Sequence, residues 1–254
     1  MAFEVGQAIA FLLGCGLGAI IGSFLGALVI RWPAGRSIVR GRSACDGCGR
    51  TLAPVELIPI VGALIVRGRC RSCGALIDPV HGLMELGGAL IGGVACGLLP
   101  LPAALLFALA GWLLLTLAVL DARHLWLPDA LTLPLAVLGL TLGDWVLPTP
   151  LADRAIGAAI GYGGLFLLAL GYRHLRGREG LGLGDAKLLG AIGAWLGWQA
   201  LPLVLLLASL GGLLWALALH LGGRRIDAGT RLPLGTFLCM AVVPAAWLVW
   251  SFGL

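Results

Sequence analysis

Between Glu4 and Arg31 the chain has no Asp, Glu, Lys or Arg, and the same is true from Leu86 to Leu120 and from Leu188 to Leu219. No other feature restricts the fold so strongly. A helix crossing about 30 Å of hydrocarbon needs roughly 20 apolar residues, and it must satisfy its own backbone polar groups on the way. Hydrophobic residues make up 60% of the 254-residue chain and charged ones 11%, against about 25% charged in a typical soluble protein. A soluble core of this size could not hide so much apolar side chain, and disorder is excluded by the same composition. The chain is expected to be an all-α, polytopic membrane helix bundle.

The spans follow from the charge-free runs. The first is Val5 to Ile30. Leu86 to Leu120 is too long for one helix and is divided at Pro100 and Pro102. A fourth runs from Asp129 to Leu147 and a fifth from Ala155 to Tyr172. Leu188 to Leu219 divides near Pro202 into a sixth and seventh, and Leu232 to Leu254 is the eighth. Eight spans is the expected count, with seven the alternative. Three regions result: a first span (1–30), a cytoplasmic loop domain (31–81), and a membrane domain (82–254).

Placing the N-terminus outside puts all but one of the 17 Lys and Arg residues in cytoplasmic loops, the exception being Arg154. That is the positive-inside pattern. The net charge of +5 therefore reports topology, and its even spread over loops argues against a nucleic-acid partner. The partner this implies is membrane lipid. Met1-Ala2-Phe3-Glu4 lacks the basic start of a cleaved signal peptide, so the first span is expected to be retained. Gly14, Gly18, Gly22 and Gly26 recur every fourth residue on that span, a pattern that lets helix backbones approach closely.

Four of the seven cysteines share the one long hydrophilic loop, as Cys45-x-x-Cys48 and Cys70-x-x-Cys73. Two such pairs can complete a tetrahedral metal site, and their spacing is that of a zinc site. In the cytoplasm disulfides do not persist. Four protein ligands leave no open position, so the zinc is expected to be structural, stapling a loop too small for a core of its own. Another thiolate-bound metal or a pair of redox dithiols are the alternatives. Cys15, Cys96 and Cys239 fall inside spans as ordinary buried residues.

Two acids stand apart from the rest. Asp121 ends the third span, and Asp185 sits in Gly182-Leu183-Gly184-Asp185-Ala186-Lys187 at the mouth of the sixth. The topology puts both at the cytoplasmic face. A carboxylate at a bilayer boundary is costly unless paired or functional. Two carboxyls held close share one proton: one can then activate water while the other hydrogen-bonds the carbonyl under attack. The plainer readings are an interfacial helix-end Asp121 paired with Arg123, and an N-capping Asp185 paired with Lys187. Asp129 competes for a place in the pair, although an Asp after Pro128 is ordinary helix-start chemistry. His124 could serve as a base.

These motifs together resemble the bacterial type IV prepilin peptidases, membrane aspartic proteases of the GxGD type. The resemblance rests on Gly22-Ser23-Phe24-Leu25 with Arg31-Trp32-Pro33, on the two CxxC pairs, on Asp121 with Pro128-Asp129, and on Gly182 to Leu189 with Gly193-Ala194-Trp195-Leu196-Gly197. Pro233-Leu234-Gly235-Thr236-Phe237-Leu238 is similar to a late segment of the family. It implies an inner-membrane enzyme that cuts basic leader peptides from prepilins or pseudopilins, with Asp121 and Asp185 as catalytic pair and Cys45, Cys48, Cys70 and Cys73 as zinc ligands. Family members with this loop also methylate the new amino terminus from S-adenosylmethionine. Here the chain departs at Gly26, at Glu56-Leu57-Ile58-Pro59 and at Val80-His81-Gly82, which leaves the methyl transfer open. Outside the family reading, the rival functions are a non-enzymatic scaffold of a pilus or secretion assembly and a proton-relay transporter.

Overall fold

The computed structural model describes residues 2–38, 42–177, 182–223 and 231–252. Arg40, Arg178, Arg224 and Arg225, counted above for orientation, lie outside the described residues, as do Gly180, Leu181 and the last two residues. Among the described residues every regular element is helical, and extended pairing is limited to isolated bridges between Ala44 and Thr51 and between Arg69 and Leu76. The helices are α1 (Ala2–Arg31), α2 (Val61–Ile65), α3 (Pro79–Leu98), α4 (Leu101–His124), α5 (Asp129–Leu142), α6 (Leu151–Arg176), α7 (Leu183–Leu196), α8 (Leu201–Leu221) and α9 (Leu234–Phe252). Apart from the short α2, each overlaps one of the segments expected as spans. Five of them (α1, α3, α4, α6 and α8) are long and apolar enough to cross a membrane. At about 1.5 Å per residue, the 14-residue α5 and α7 reach only about 21 Å.

Helix α3 begins seven residues before the expected Leu86, for two local reasons. Asp78 caps it, accepting from the Val80 N–H at 2.9 Å, with Pro79 in the first turn. Glu85, whose charge had marked the boundary, is buried and accepts a hydrogen bond from the Ile60 N–H at 2.7 Å. A satisfied carboxylate does not end a helix. The later break also falls before its proline: α7 stops at Gly197, in the left-handed region at φ 83°, and Pro202 sits in the first turn of α8.

The chain forms two compact units, residues 1–116 and 117–254. In the first, α1 packs along α3 through the glycine ladder. A Cβ at Gly14, Gly18 or Gly22 would run into the α3 backbone at Gly92, Gly88 and Met84, and Gly88 and Gly92 return the contact. Gly26 ends the ladder against the His81 ring. Lipid supplies no hydrophobic drive, so contact of this closeness is what holds such helices together.

In the second unit α7 is central. Ala186 and the nine consecutive residues Leu188 to Leu196 are buried, with Lys187 between them only partly so, as expected of a helix surrounded by others. A second small-residue contact, Gly157 and Gly161 of α6 against Gly193 and Leu189–Gly190 of α7, brings those backbones together. Arg154, the one basic residue outside the expected cytoplasmic loops, is buried, and its Nη1 donates to the Gly139 carbonyl at 2.6 Å near the end of α5. A cation at a helix C-terminus is favourable there, which accounts for the exception to the charge pattern.

Candidate active site and metal centre

Asp121 lies in the last turn of α4 and is 4% exposed. Its Oδ2 accepts from the Thr236 N–H at 2.7 Å and stands 3.1 Å from the Thr236 hydroxyl. Thr236 and Gly235 occupy the first turn of α9, where backbone N–H groups have no partner within the helix. The start of α9 thus meets its orphan donors in the carboxylate at the end of α4. The Thr236 hydroxyl is also 2.9 Å from the Ala118 carbonyl, and it has one proton to give to one of the two.

Asp185 is the third residue of α7, whose N-cap is Gly182. It is not the N-cap itself: its side chain reaches back to the Gly182 N–H, as the N3 residue of a capping box does. A Cβ at Gly182 would lie 3.1 Å from Asp185 Oδ2, and one at Gly184 would press on Leu127 at 3.0 Å. The two glycines of the Gly-x-Gly-Asp segment therefore leave room, one for the carboxyl and the other for the α4–α5 connection.

One amide unites the two acids. The Gly235 amide lies near both carboxyls, and Asp121 is near enough for its charge to act on Asp185. A side chain at position 235 would meet Asp121 Cγ and Oδ2 at 3.0 Å. Asp185 Oδ1 is buried and has no hydrogen-bond partner, alongside Arg50 Nε and Arg154 Nε among the described residues. The two guanidinium groups bond through their other nitrogens, so Asp185 Oδ1 is the acceptor in that set.

The plainer pairing for Asp185 does not form. Lys187 Nζ contacts Asp129 at 2.7 and 2.8 Å, tying α7 to the start of α5. His124 is exposed at the end of α4. Cys239 is buried one turn beyond Gly235, close enough to both carboxyls to feel their charge. Sequence reasoning passed over Gly235, Thr236 and Leu127 as site residues. The clue was the late Pro-Leu-Gly-Thr segment, which carries polar backbone into an apolar run.

In the first unit the four cysteines converge, their ligand atoms all within 4.8 Å of one another. Cys45 and Cys73 sulfurs are 3.8 Å apart and those of Cys48 and Cys70 3.9 Å. A tetrahedron with Zn–S bonds of about 2.3 Å has edges of about 3.8 Å, so the set fits a metal of that kind. The two knuckles repeat one backbone plan. The Cys45 N–H bonds Arg50 O and the Gly49 N–H bonds Cys45 O, while Cys70 bonds Ala75 and Gly74 bonds Cys70 in the same way. Gly49 and Gly74 have φ of 71° and 70°, a left-handed turn that glycine adopts without cost. N–H groups of Cys73 and Ser72 aimed at the Cys70 sulfur bring that thiol down to about 6. Arg50 braces the knuckle, bonding Glu56 at 2.8 and 3.1 Å. Arg50, with the Ala53 N–H, holds the Glu56 carboxyl below the usual range.

The model of the Type IV leader peptidase family matches residues 108–217, and that of the Bacterial Peptidase A24 N-terminal domain matches residues 17–97. A prepilin leader peptidase/N-methyltransferase of Pseudomonas aeruginosa is 37% identical over 264 residues, spanning 93% of this chain and 88% of the relative. One from Aeromonas salmonicida is 42% identical over 216 residues (84% of this chain, 72% of the relative), and one from Klebsiella pneumoniae 43% over 201 (76% and 87%). No solved structure matches. With both family models matching in sequence order and relatives this similar over most of its length, the chain belongs to the type IV leader peptidase family.

Proposed function

We propose that this protein is a prepilin peptidase of the bacterial inner membrane, cutting leader peptides from prepilins or pseudopilins with Asp121 and Asp185 at the cytoplasmic face. The observation that carries the reading is a buried Asp121 and a half-buried Asp185 brought together beside the Gly235 amide, with Asp185 Oδ1 a buried oxygen without a protein donor. Carboxyls whose charges act on each other in this way share one proton, and the proton belongs to the pair. In the reaction, the charged carboxyl takes a proton from water as its oxygen attacks the scissile carbonyl. The neutral carboxyl gives its proton to that carbonyl oxygen. Collapse breaks the C–N bond, the proton passes to the leaving nitrogen, and a carboxylate and a new amino terminus are released.

Asp185 Oδ1, buried and without a protein donor, is the oxygen assigned to accept from the attacking water. Thr236 suits a carboxyl that changes charge: its hydroxyl donates to Asp121 when that oxygen is charged, and to the Ala118 carbonyl when Asp121 holds the proton. The start of α9 adds a positive dipole end beside the pair. The names of the relatives and the order of the motifs support the same substrate class.

Zinc in the four-cysteine site would be structural, closing the 45–73 loop and leaving no ligand position for chemistry. Methyl transfer has less support. The first unit holds a cavity of about 290 Å³ lined in part by Glu56, Ile58, His81 and Glu85. Its carboxylates are already taken: Glu56 by Arg50, Glu85 by the Ile60 N–H, Asp46 by Arg36. That donor set does not mark a site for S-adenosylmethionine, and methyl transfer rests on the names of the relatives. The test is mass spectrometry of a prepilin incubated with the purified protein. Loss of the leader is expected, and its survival intact overturns the reading; an added methyl group would be seen in the same spectrum.

A further inference from the structure

The loop that carries the cysteines contains a stretch that does not behave as a solvated loop. From Pro54 to Val66 it reads Pro-Val-Glu-Leu-Ile-Pro-Ile-Val-Gly-Ala-Leu-Ile-Val, with Glu56 its only charge. Apolar runs of this length, too short to cross, are typical of re-entrant or interfacial segments. The Glu56 charge is met by Arg50. The rest folds as a 3-10 turn, Pro54–Leu57, followed by α2, and Val55, Leu57, Ile58, Val61, Leu64 and Ile65 are all exposed, Leu64 at 71%.

Its depth is set by one hydrogen bond. Helix α3, 20 residues long, covers about 30 Å, the thickness of the hydrocarbon. Glu85 is six residues past its start, about 9 Å along at that rise, and its Oε2 holds the Ile60 N–H at 2.7 Å. Ile60 is kept at φ 65°, a conformation a β-branched residue rarely takes without such support. Gly62 lets α2 fold against the Glu56 backbone. The apolar turn is thereby pinned level with the first turns of α3, where Leu83 and Leu86 are likewise exposed. Directly after it come Arg67, Arg69 and Arg71, all exposed.

We infer that residues 54–66 dip into the leaflet on the loop's side, with Val55, Leu57, Ile58, Val61, Leu64 and Ile65 among the upper acyl chains and Arg67, Arg69 and Arg71 among anionic headgroups. The occupant of this apolar face is lipid because the face continues the lipid-facing surface of α3 and carries the charge that anionic headgroups attract. The metal-binding loop then rides on the membrane surface and is held there independently of any substrate.

The test uses the full-length protein in nanodiscs of phosphatidylethanolamine and phosphatidylglycerol, with a dansyl amino acid at position 64 or, as control, at exposed Thr51. Lipids brominated near the headgroup end of the acyl chain should quench the label at 64 at least about twofold more than at 51. Equal quenching overturns the inference. So does a label at 64 that leaves water only when a prepilin is added, which would make the face a substrate groove. Introducing Leu64→Asp beneath a label at position 57 should abolish the quenching in protein that elutes and binds metal normally; quenching that persists counts against insertion.

Discussion

The two units treat their polar groups in opposite ways. In the first, the carboxylates of the cysteine loop and of α3 have fixed partners: Glu56 holds Arg50, Glu85 the Ile60 N–H, Asp46 Arg36. Its four sulfurs close on one point. In the second, two acids face a single amide and Asp185 Oδ1 is buried without a partner. A buried acceptor left unmade costs on the order of 1–3 kcal/mol. A fold tolerates such a cost where the group has work to do, and satisfied groups elsewhere serve the architecture.

Variants can break this contrast. The largest effect is expected from Asp121→Asn or Asp185→Asn, each lowering leader cleavage by about 10³-fold or more if the pair acts as one acid–base unit. Normal processing by either would end the reading of the second unit as the reactive one. Next, Cys45→Ser should eject the metal, read as zinc per protein by atomic absorption, while cleavage stays within about threefold because the ion is structural. The scaffold alternative reverses this, with the Asp variants active and the Cys variant dead.

Gly18→Leu drives a side chain into the α3 backbone at Gly88 and should cost about 1–3 kcal/mol in detergent unfolding. Gly16→Leu, with nothing near its Cβ, should leave stability unchanged. Thr236→Val keeps the backbone donor to Asp121 and removes the hydroxyl, so kcat should fall about tenfold with KM little changed.

The smallest effect concerns Glu56. Its carboxyl is held low by Arg50 and then by the Ala53 N–H, so its contribution is complete above the ordinary glutamate value of about 4.3 and fades as pH falls through the folded one. Hydrogen exchange at the Ala53 amide should be flat from neutral pH down to about 5 and accelerate below it, relative to a loop amide without such a bond. In Glu56→Gln that acid limb should disappear.

Much of this was legible in one dimension. Charge-free runs set the helices, because lipid admits no unpaired backbone and few charges. Four cysteines at fixed spacing announced a metal site, because short knuckles impose their own geometry. Asp121 and Asp185 stood out because acids are scarce where hydrocarbon begins. The helix starts were less legible: Glu85 looked like a boundary, and only its bond to Ile60 reveals a charge buried inside α3. Lys187 looked like the partner of its neighbour Asp185, yet it reaches Asp129 on another helix.

The sequence by itself determined that this chain lies in a membrane, which segments become helices and which acids are out of place, since all three depend on local composition. Tertiary structure alone decided that the first turn of α9 comes to Asp121, 115 positions away, and that its Gly235 amide lies near both carboxyls. It also decided that the apolar stretch of the cysteine loop is pinned to α3. Backbone N–H groups and buried contacts carry no signature in the sequence, so what they hold together is known only once the chain has folded.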